Sequence, residues 1–301
     1  MRVLVTGATG FLGPHAVSAL KSAGHDVIAL ARTGAKSSAQ KLLTVDLLAP
    51  GAAAYVAGKV KADALLHLAW TTSHGAYWND PANLNWTAAS LELVAAMVKH
   101  GTHRICVAGT CFEYDWPEDD NCDEFETNVA NHTLYDTTKD ACRRVLSHFA
   151  MEKRLSFAWA RLFHLYGPAE HPDRLVSSIC RSLVHGKTAL SSSGAVLRDF
   201  MDVRDAGAAL AAIVVSNVTG PVNVASGEIT RVRDIAAALG EIAGRSELIQ
   251  IGALPDRPND PPRITANTRR LSSEVGYSKS RPLESGLVDA FAFWSERETD
   301  Q

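Results

Sequence analysis

Val3-Leu4-Val5-Thr6-Gly7-Ala8-Thr9-Gly10-Phe11-Leu12-Gly13 decides the fold. An apolar run, three glycines spaced three apart, and a helical pattern from Pro14 to a stop at Gly24 read as strand, tight turn and helix. Glycines in such a turn let a ligand approach the backbone closely. The helix start behind them offers unpaired N–H groups to an anion. In that context the pattern predicts a dinucleotide pyrophosphate held by Gly7, Thr9, Gly10, Phe11, Leu12 and Gly13. A glycine-rich turn with no ligand is the plainer alternative.

The alternation repeats outward from this turn. Strands are expected at 25–31, 43–46, 64–69, 104–109 and 155–163, with helices at 84–100 and 133–151. Nearly continuous apolar strands between helices predict a parallel sheet covered on both faces, an α/β Rossmann-type doubly wound fold. The second half is less regular. It shows helical patterns at 174–185 and 231–243, a strand at 221–225 and a proline-rich stretch at 255–262. With no clear linker, a smaller α/β substrate-binding domain is expected to interleave with the first. Residues 1–165 and about 200–226 would bind the dinucleotide, and about 166–199 and 227–301 the substrate.

Composition narrows the class. The 301 residues are 46% hydrophobic and 21% charged with net charge −3, which leaves no basic footprint for nucleic acid. Cys106, Cys111, Cys122, Cys142 and Cys180 are odd in number and lack Cys-x-x-Cys spacing, against a disulfide framework or zinc site. No leader pattern and no membrane-length apolar run is found, so a cytoplasmic protein without membrane contact is expected. No metal-ligand spacing occurs, and no metal is expected. The acidic stretch 118–126 reads as a solvated loop.

Tyr135 and Lys139 lie four apart on a predicted helix and share one face. A phenol near pKa 10 is a weak acid–base catalyst at neutral pH, and a close ammonium favours its phenolate. Bringing it to neutrality takes roughly 4 kcal/mol. Thr110 ends a predicted strand, where open α/β sheets bind ligands and a hydroxyl can meet a carbonyl oxygen beside Tyr135; capping of local backbone is the alternative. At the end of the second strand, where an acid would accept from a ribose 2′-OH, stand Ala31 and Arg32. An arginine there pairs with a 2′-phosphate or is a solvated surface residue, and the expectation is NADP(H), with NAD(H) as the other possibility. Asp46 and Leu47, after the third strand, are placed to meet the adenine edge.

These motifs resemble the extended short-chain dehydrogenase/reductases acting on nucleotide-diphosphate sugars, and the resemblance runs nearly end to end. The G-x-x-G-x-x-G spacing is the short-chain form. Thr110-Cys111-Phe112-Glu113-Tyr114 resembles the family's catalytic strand end. Arg161-Leu162-Phe163-His164-Leu165-Tyr166-Gly167-Pro168 resembles its R-x-F-N-x-Y-G-P segment, Arg198-Asp199-Phe200-Met201-Asp202-Val203 its R-D-F-x-x-V segment, and Arg257-Pro258-x-Asp260 its phosphate-meeting turn. The resemblance implies Thr110, Tyr135 and Lys139 as catalytic residues, with Tyr135 and Lys139 also touching the cofactor. It adds cofactor contacts at Leu68, Ala69, Trp70, Asn83, Phe163 and His164. Substrate contacts fall on Trp70, Cys111, Phe112, His164, Arg198 and Arg257. It also implies a homodimer packed through the helices at 84–100 and 133–151.

Three departures bear on chemistry. Cys111 and Phe112 stand where the 4,6-dehydratases carry the Asp-Glu pair for water elimination. His164 replaces an asparagine. Trp86 replaces a glycine and either reshapes the pocket wall or fills the core. The loop 70–79, with His74, Tyr77 and Trp78, reads as a wall near the sugar or as local packing. The expected function is NADP(H)-dependent reduction of a keto group, most directly C4, on a nucleotide-linked deoxysugar. A 4-epimerase using the same residues, a reductase of other substrates and a silent dinucleotide sensor are the alternatives.

Overall fold

The computed structural model describes residues 1–32, 34–71, 74–279 and 281–299. Thr72 and Ser73, in the predicted wall loop, lie outside the described residues. In chain order the strands of the large sheet and their helices are β1 (Arg2–Thr6), α1 (Gly13–Ser22), β2 (Asp26–Ala31), β3 (Lys41–Thr44), α2 (Ala52–Lys59), β4 (Ala64–His67), α3 (Ala82–Lys99), β5 (Arg104–Thr110), α4 (Leu134–Lys153) and β6 (Ser156–Leu162). The second half supplies β7 (His164–Tyr166), α5 (Leu175–Val184), β8 (Ala189–Leu190), β9 (Leu197–Asp202), α6 (Val203–Val215), β10 (Gly220–Val224), β11 (Ile229–Arg231), α7 (Val232–Ile242), β12 (Ile249–Gln250), β13 (Arg263–Ile264) and α8 (Leu283–Thr299).

Seven strands form one parallel sheet in the order β10-β6-β5-β4-β1-β2-β3. This is the doubly wound Rossmann arrangement. From β1 the chain winds outward through β2 and β3, then returns to lay β4 on the other side of β1. The reversal opens a crevice at the strand C-termini between β1 and β4. Val17 and Leu20 of α1 pack with Ala206, Leu210 and Val214 of α6 on one face. Val56, Leu93, Met97, Cys142 and Leu146, from α2, α3 and α4, cover the other. A Cβ on Gly207 would stand 2.5 Å from that of His15, so α6 seats on α1 through a bare backbone.

A smaller sheet has the order β11-β9-β13, with β7 also paired to β9. Beside it α5, α7 and α8 share a separate apolar core around Ile179, Leu183, Leu239, Leu287 and Trp294. No described helix is long and apolar enough to cross a membrane.

The sequence reading contains none of α2, α6 and α8. Helix α6 is buried nearly all round, so it lacks a polar face and a readable period. Helix α8 did carry a signal, since Leu283, Leu287, Ala290 and Trp294 fall at helical spacing. The acidic stretch 118–126 is corrected in part. Glu124 is buried, and its Oε1 accepts from the Asn223 backbone N–H at 2.9 Å, while Cys122 bridges to Ala266.

Candidate active site

The glycine turn is built under two different demands. Gly7 has φ +65°, and a Cβ there would come within 2.8 Å of the Ala69 nitrogen; on Gly13 it would reach the Gly7 carbonyl oxygen at 2.1 Å. Both glycines are required by the protein's own packing. Gly10 is not, because among the described residues the one atom near its Cβ position is the Gly7 oxygen at an ordinary 3.5 Å. A bare backbone facing open space at the start of α1 fits the approach of a pyrophosphate. Next to it, Thr9, Arg32, Gly34, Ala35 and Asp46 line one surface cavity. Arg32 is exposed there and, among the described residues, forms no ion pair, whereas Asp46 Oδ1 already accepts from the Leu48 N–H and Leu47 is buried in the core. The residues present therefore fit a dinucleotide.

The crevice floor is held by a hydrogen-bond chain. Ser90 Oγ donates to the Trp86 carbonyl, so it accepts from His67 Nε2–H at 2.8 Å. That leaves His67 Nδ1 to accept from the Thr6 hydroxyl at 2.7 Å, and Thr6 Oγ1 in turn accepts the N–H groups of Leu68 and Ala69. Leu68 and Ala69, two expected cofactor contacts, thus have fixed backbones against Gly7. Burial drives His67 down to about 3, with Lys139 adding to the effect.

Thr110, Tyr135 and Lys139 are brought together. Thr110 closes β5, and its side chain lies near enough to Tyr135 to favour the phenolate, in part against burial. Lys139, on the same face of α4, donates from Nζ to the Ala108 carbonyl at 2.8 Å and stands 3.8 Å over the Trp70 ring and 6.0 Å over that of Tyr135. One expectation is corrected here. The ammonium does not bring the phenol down. Burial holds Tyr135 well above the ordinary tyrosine range, reinforced by neighbouring Tyr77. Burial also lowers Lys139 to about 8.

Around Tyr135 stands an aromatic wall. Tyr77 meets it edge-on at 4.9 Å, Trp78 at 6.0 Å, and Phe112 packs edge-on against Trp78, Trp116 and His164. The loop is tied to α4 by the Tyr135 N–H donating to the Trp78 carbonyl at 2.9 Å. So the loop's aromatics pack against α4 beside Tyr135. Trp86 stacks on Trp70 and also packs into the core.

Other expected residues fare differently. Asn83 is corrected from a cofactor contact to a brace. It is fully buried, its Oδ1 accepts from Trp70 Nε1 at 2.8 Å, and its amide donates to the Tyr77 and Asp80 carbonyls. Cys111 is buried among Tyr114, Cys122 and Phe163, and its thiol is raised well above the ordinary range by burial. Arg198 is buried and paired to Asp260 at 2.6 Å, which joins the two arginine motifs in one ion pair. Arg257 is exposed, and among the described residues it makes no ion pair. His164, held neutral near 3 by burial, keeps a buried Nδ1 that has no hydrogen-bond partner among the described residues.

Sequence reasoning missed Glu113. Its side chain is wholly buried between β5, α4 and β6. The acid within an apolar strand end was the available signal, since buried charges are rare without a partner.

The sheet, the crevice and this trio define an NAD(P)-dependent oxidoreductase of the extended short-chain dehydrogenase/reductase type. The chain belongs to the NAD dependent epimerase/dehydratase family, whose model matches residues 3–225. It is similar to dTDP-6-deoxy-L-talose 4-dehydrogenase (NAD(+)) of Aggregatibacter actinomycetemcomitans, 28% identical over 241 residues, 76% of this chain and 85% of the relative. It is 25% identical to UDP-glucose 4-epimerase of Azospirillum brasilense over all of this chain and 93% of that one. Among solved structures, MoeE5 in complex with UDP-glucuronic acid and NAD superposes with TM-score 0.85 at 26% identity, covering 99% of this chain and all of the other.

Proposed function

We propose that the chain is an NADPH-dependent ketoreductase of nucleotide-diphosphate sugars, acting at C4 of a dTDP-, CDP- or GDP-linked 6-deoxyhexose. The bound nicotinamide supplies hydride chemistry. The chain's own residues handle the oxygen and its proton: Thr110 binds the carbonyl oxygen, Tyr135 donates the proton, and Lys139 holds positive charge beneath the phenol. One observation carries the reading. Cys111 and Phe112, which follow Thr110, are a buried, strongly raised thiol and a phenyl ring, and neither exchanges protons near neutrality. Elimination of water has no acid–base pair there, whereas proton transfer to a carbonyl oxygen needs only the Tyr135–Thr110 pair. The 4-dehydrogenase relative, by its name, performs redox chemistry at the same carbon. Arg257 supplies an unpaired cation for the diphosphate.

The 4-epimerase relative supports a second reading, in which the same residues oxidise and re-reduce C4 on a retained cofactor. NADP(H) is proposed on Arg32 and the missing acid after β2, and the relatives that name NAD favour NAD(H) instead. One incubation separates the reactions. With NADPH and a 4-keto-6-deoxy nucleotide sugar, the reductase consumes cofactor stoichiometrically, read as loss of nicotinamide absorbance. Sugar interconversion without net consumption sinks it in favour of the epimerase.

A further inference from the structure

The geometry points to Glu113 as a positioning residue, a buried carboxylate that fixes the Thr110 strand end and sets negative charge behind the Tyr135–Lys139 pair. The inference rests on the redox reading above. Among the described residues, the carboxylate's hydrogen-bond and ion-pair partners are all donors. Oε1 accepts from the Thr110 backbone N–H at 3.0 Å and from Trp159 Nε1 at 2.9 Å. Oε2 accepts from Arg161 Nε at 2.9 Å, and Arg143 Nε stands 3.9 Å away. Arg161 is itself only 2% exposed and lies over the Tyr114 ring.

A paired, buried charge is a costly way to close the three-residue turn Cys111–Glu113, since an apolar side chain of similar volume fills such a place as well or better. What the carboxylate adds is orientation and field. It anchors the Thr110 N–H, and the side chain of the same residue favours the Tyr135 phenolate. Its charge opposes the burial that lowers Lys139, which also faces Cys142, His67 and the Trp70 ring. It also raises Tyr135, which faces Tyr77, Thr110 and Cys111. The support reaches one residue back. A Cβ on Gly109 would fall 2.1 Å from Trp159 Nε1, so the indole reaches the carboxylate only because residue 109 is glycine.

The test uses the full chain and two variants. Glu113→Gln keeps the shape and removes the charge. Trp159→Phe removes one donor while leaving the Glu113–Arg161 pair intact, and it decides the matter should Glu113→Gln fail to fold. With NADPH and a 4-keto-6-deoxy nucleotide sugar, Glu113→Gln is expected to lower kcat at least about tenfold. The KM for sugar and the Kd for NADPH stay unchanged. Removing negative charge lowers both Tyr135 and Lys139, so the alkaline limb of kcat moves to lower pH. Trp159→Phe changes kcat in the same direction by less. In protein labelled with 15N-threonine, the Thr110 amide proton moves upfield in Glu113→Gln. Unchanged kcat and alkaline limb, or lost kcat with neither limb nor amide moved, overturn the inference. Should the wild type fail to reduce the sugar, the redox reading falls, and the amide shift still decides whether Glu113 holds Thr110.

Discussion

Arg32 is the residue on which cofactor choice turns. It is exposed beside Thr9 and Asp46 in the cavity after β2, and among the described residues it forms no ion pair. A guanidinium paired to a 2′-phosphate contributes about 1.5–3 kcal/mol through charged hydrogen bonds, or roughly ten- to hundredfold in affinity. Arg32→Ala is therefore expected to weaken NADPH binding by that factor and to leave NADH binding nearly unchanged, as measured by nicotinamide fluorescence titration. Equal losses for both nucleotides remove the NADP(H) assignment. Single residues were also where sequence reading was weakest. Tyr135, Lys139 and Thr110 stood out because their types and spacing carry the chemistry by themselves. Asn83 did not betray its bracing role, because its partners, the Trp70 ring and the Tyr77 and Asp80 carbonyls, meet it only through the folded loop. The phenol's upward shift was equally hidden, since it comes from burial by residues spread over the chain.

At the scale of elements, the strand–turn–helix unit of β1 and α1 separates folding from binding. Gly13→Ala drives a Cβ into the Gly7 carbonyl, and the backbone must move; such overpacking costs about 1–3 kcal/mol or more. Gly10→Ala meets only an ordinary 3.5 Å contact with the Gly7 oxygen among the described residues. Differential scanning calorimetry should show a clear fall in Tm for Gly13→Ala and little for Gly10→Ala, while dinucleotide binding is lost in both. A Gly10→Ala variant that binds NADPH normally would remove the pyrophosphate from this turn. The turn and the strands around it were legible because period and glycine spacing are local signals. The small sheet was not, because β7, β11 and β13 are two or three residues each and exist only by pairing with β9.

For the molecule as a whole, the Ser90–His67–Thr6 chain links α3, β4 and β1 and ties acid stability to one imidazole. His67 sits at about 3 in the fold against 6.5 in an ordinary setting, so between those values the unfolded chain binds the extra proton. Its contribution is complete above 6.5 and is lost as pH falls toward 3, at about 1.4 kcal/mol per pH unit. Protonating Nδ1 would also end the Thr6 hydroxyl's donation and loosen the acceptor that holds Leu68 and Ala69. In urea unfolding between pH 7 and pH 4, His67→Gln should show an acid slope shallower than wild type by one proton. An identical slope in both proteins shows that the imidazole does not govern acid unfolding.

The contact of Gly109 with the Trp159 indole reaches beyond the present chain. Glycine at 109, acid at 113, indole at 159 and guanidinium at 161 form one contact set, in which the indole requires glycine at 109 and the guanidinium pairs with the acid. A side chain at 109 expels the indole, and loss of the acid strands a buried cation. Substitutions at these positions are therefore expected to be coupled rather than independent. Lineages that share the catalytic trio should inherit these four positions together or exchange them together, so the quartet marks a branch of the family more sharply than the trio itself.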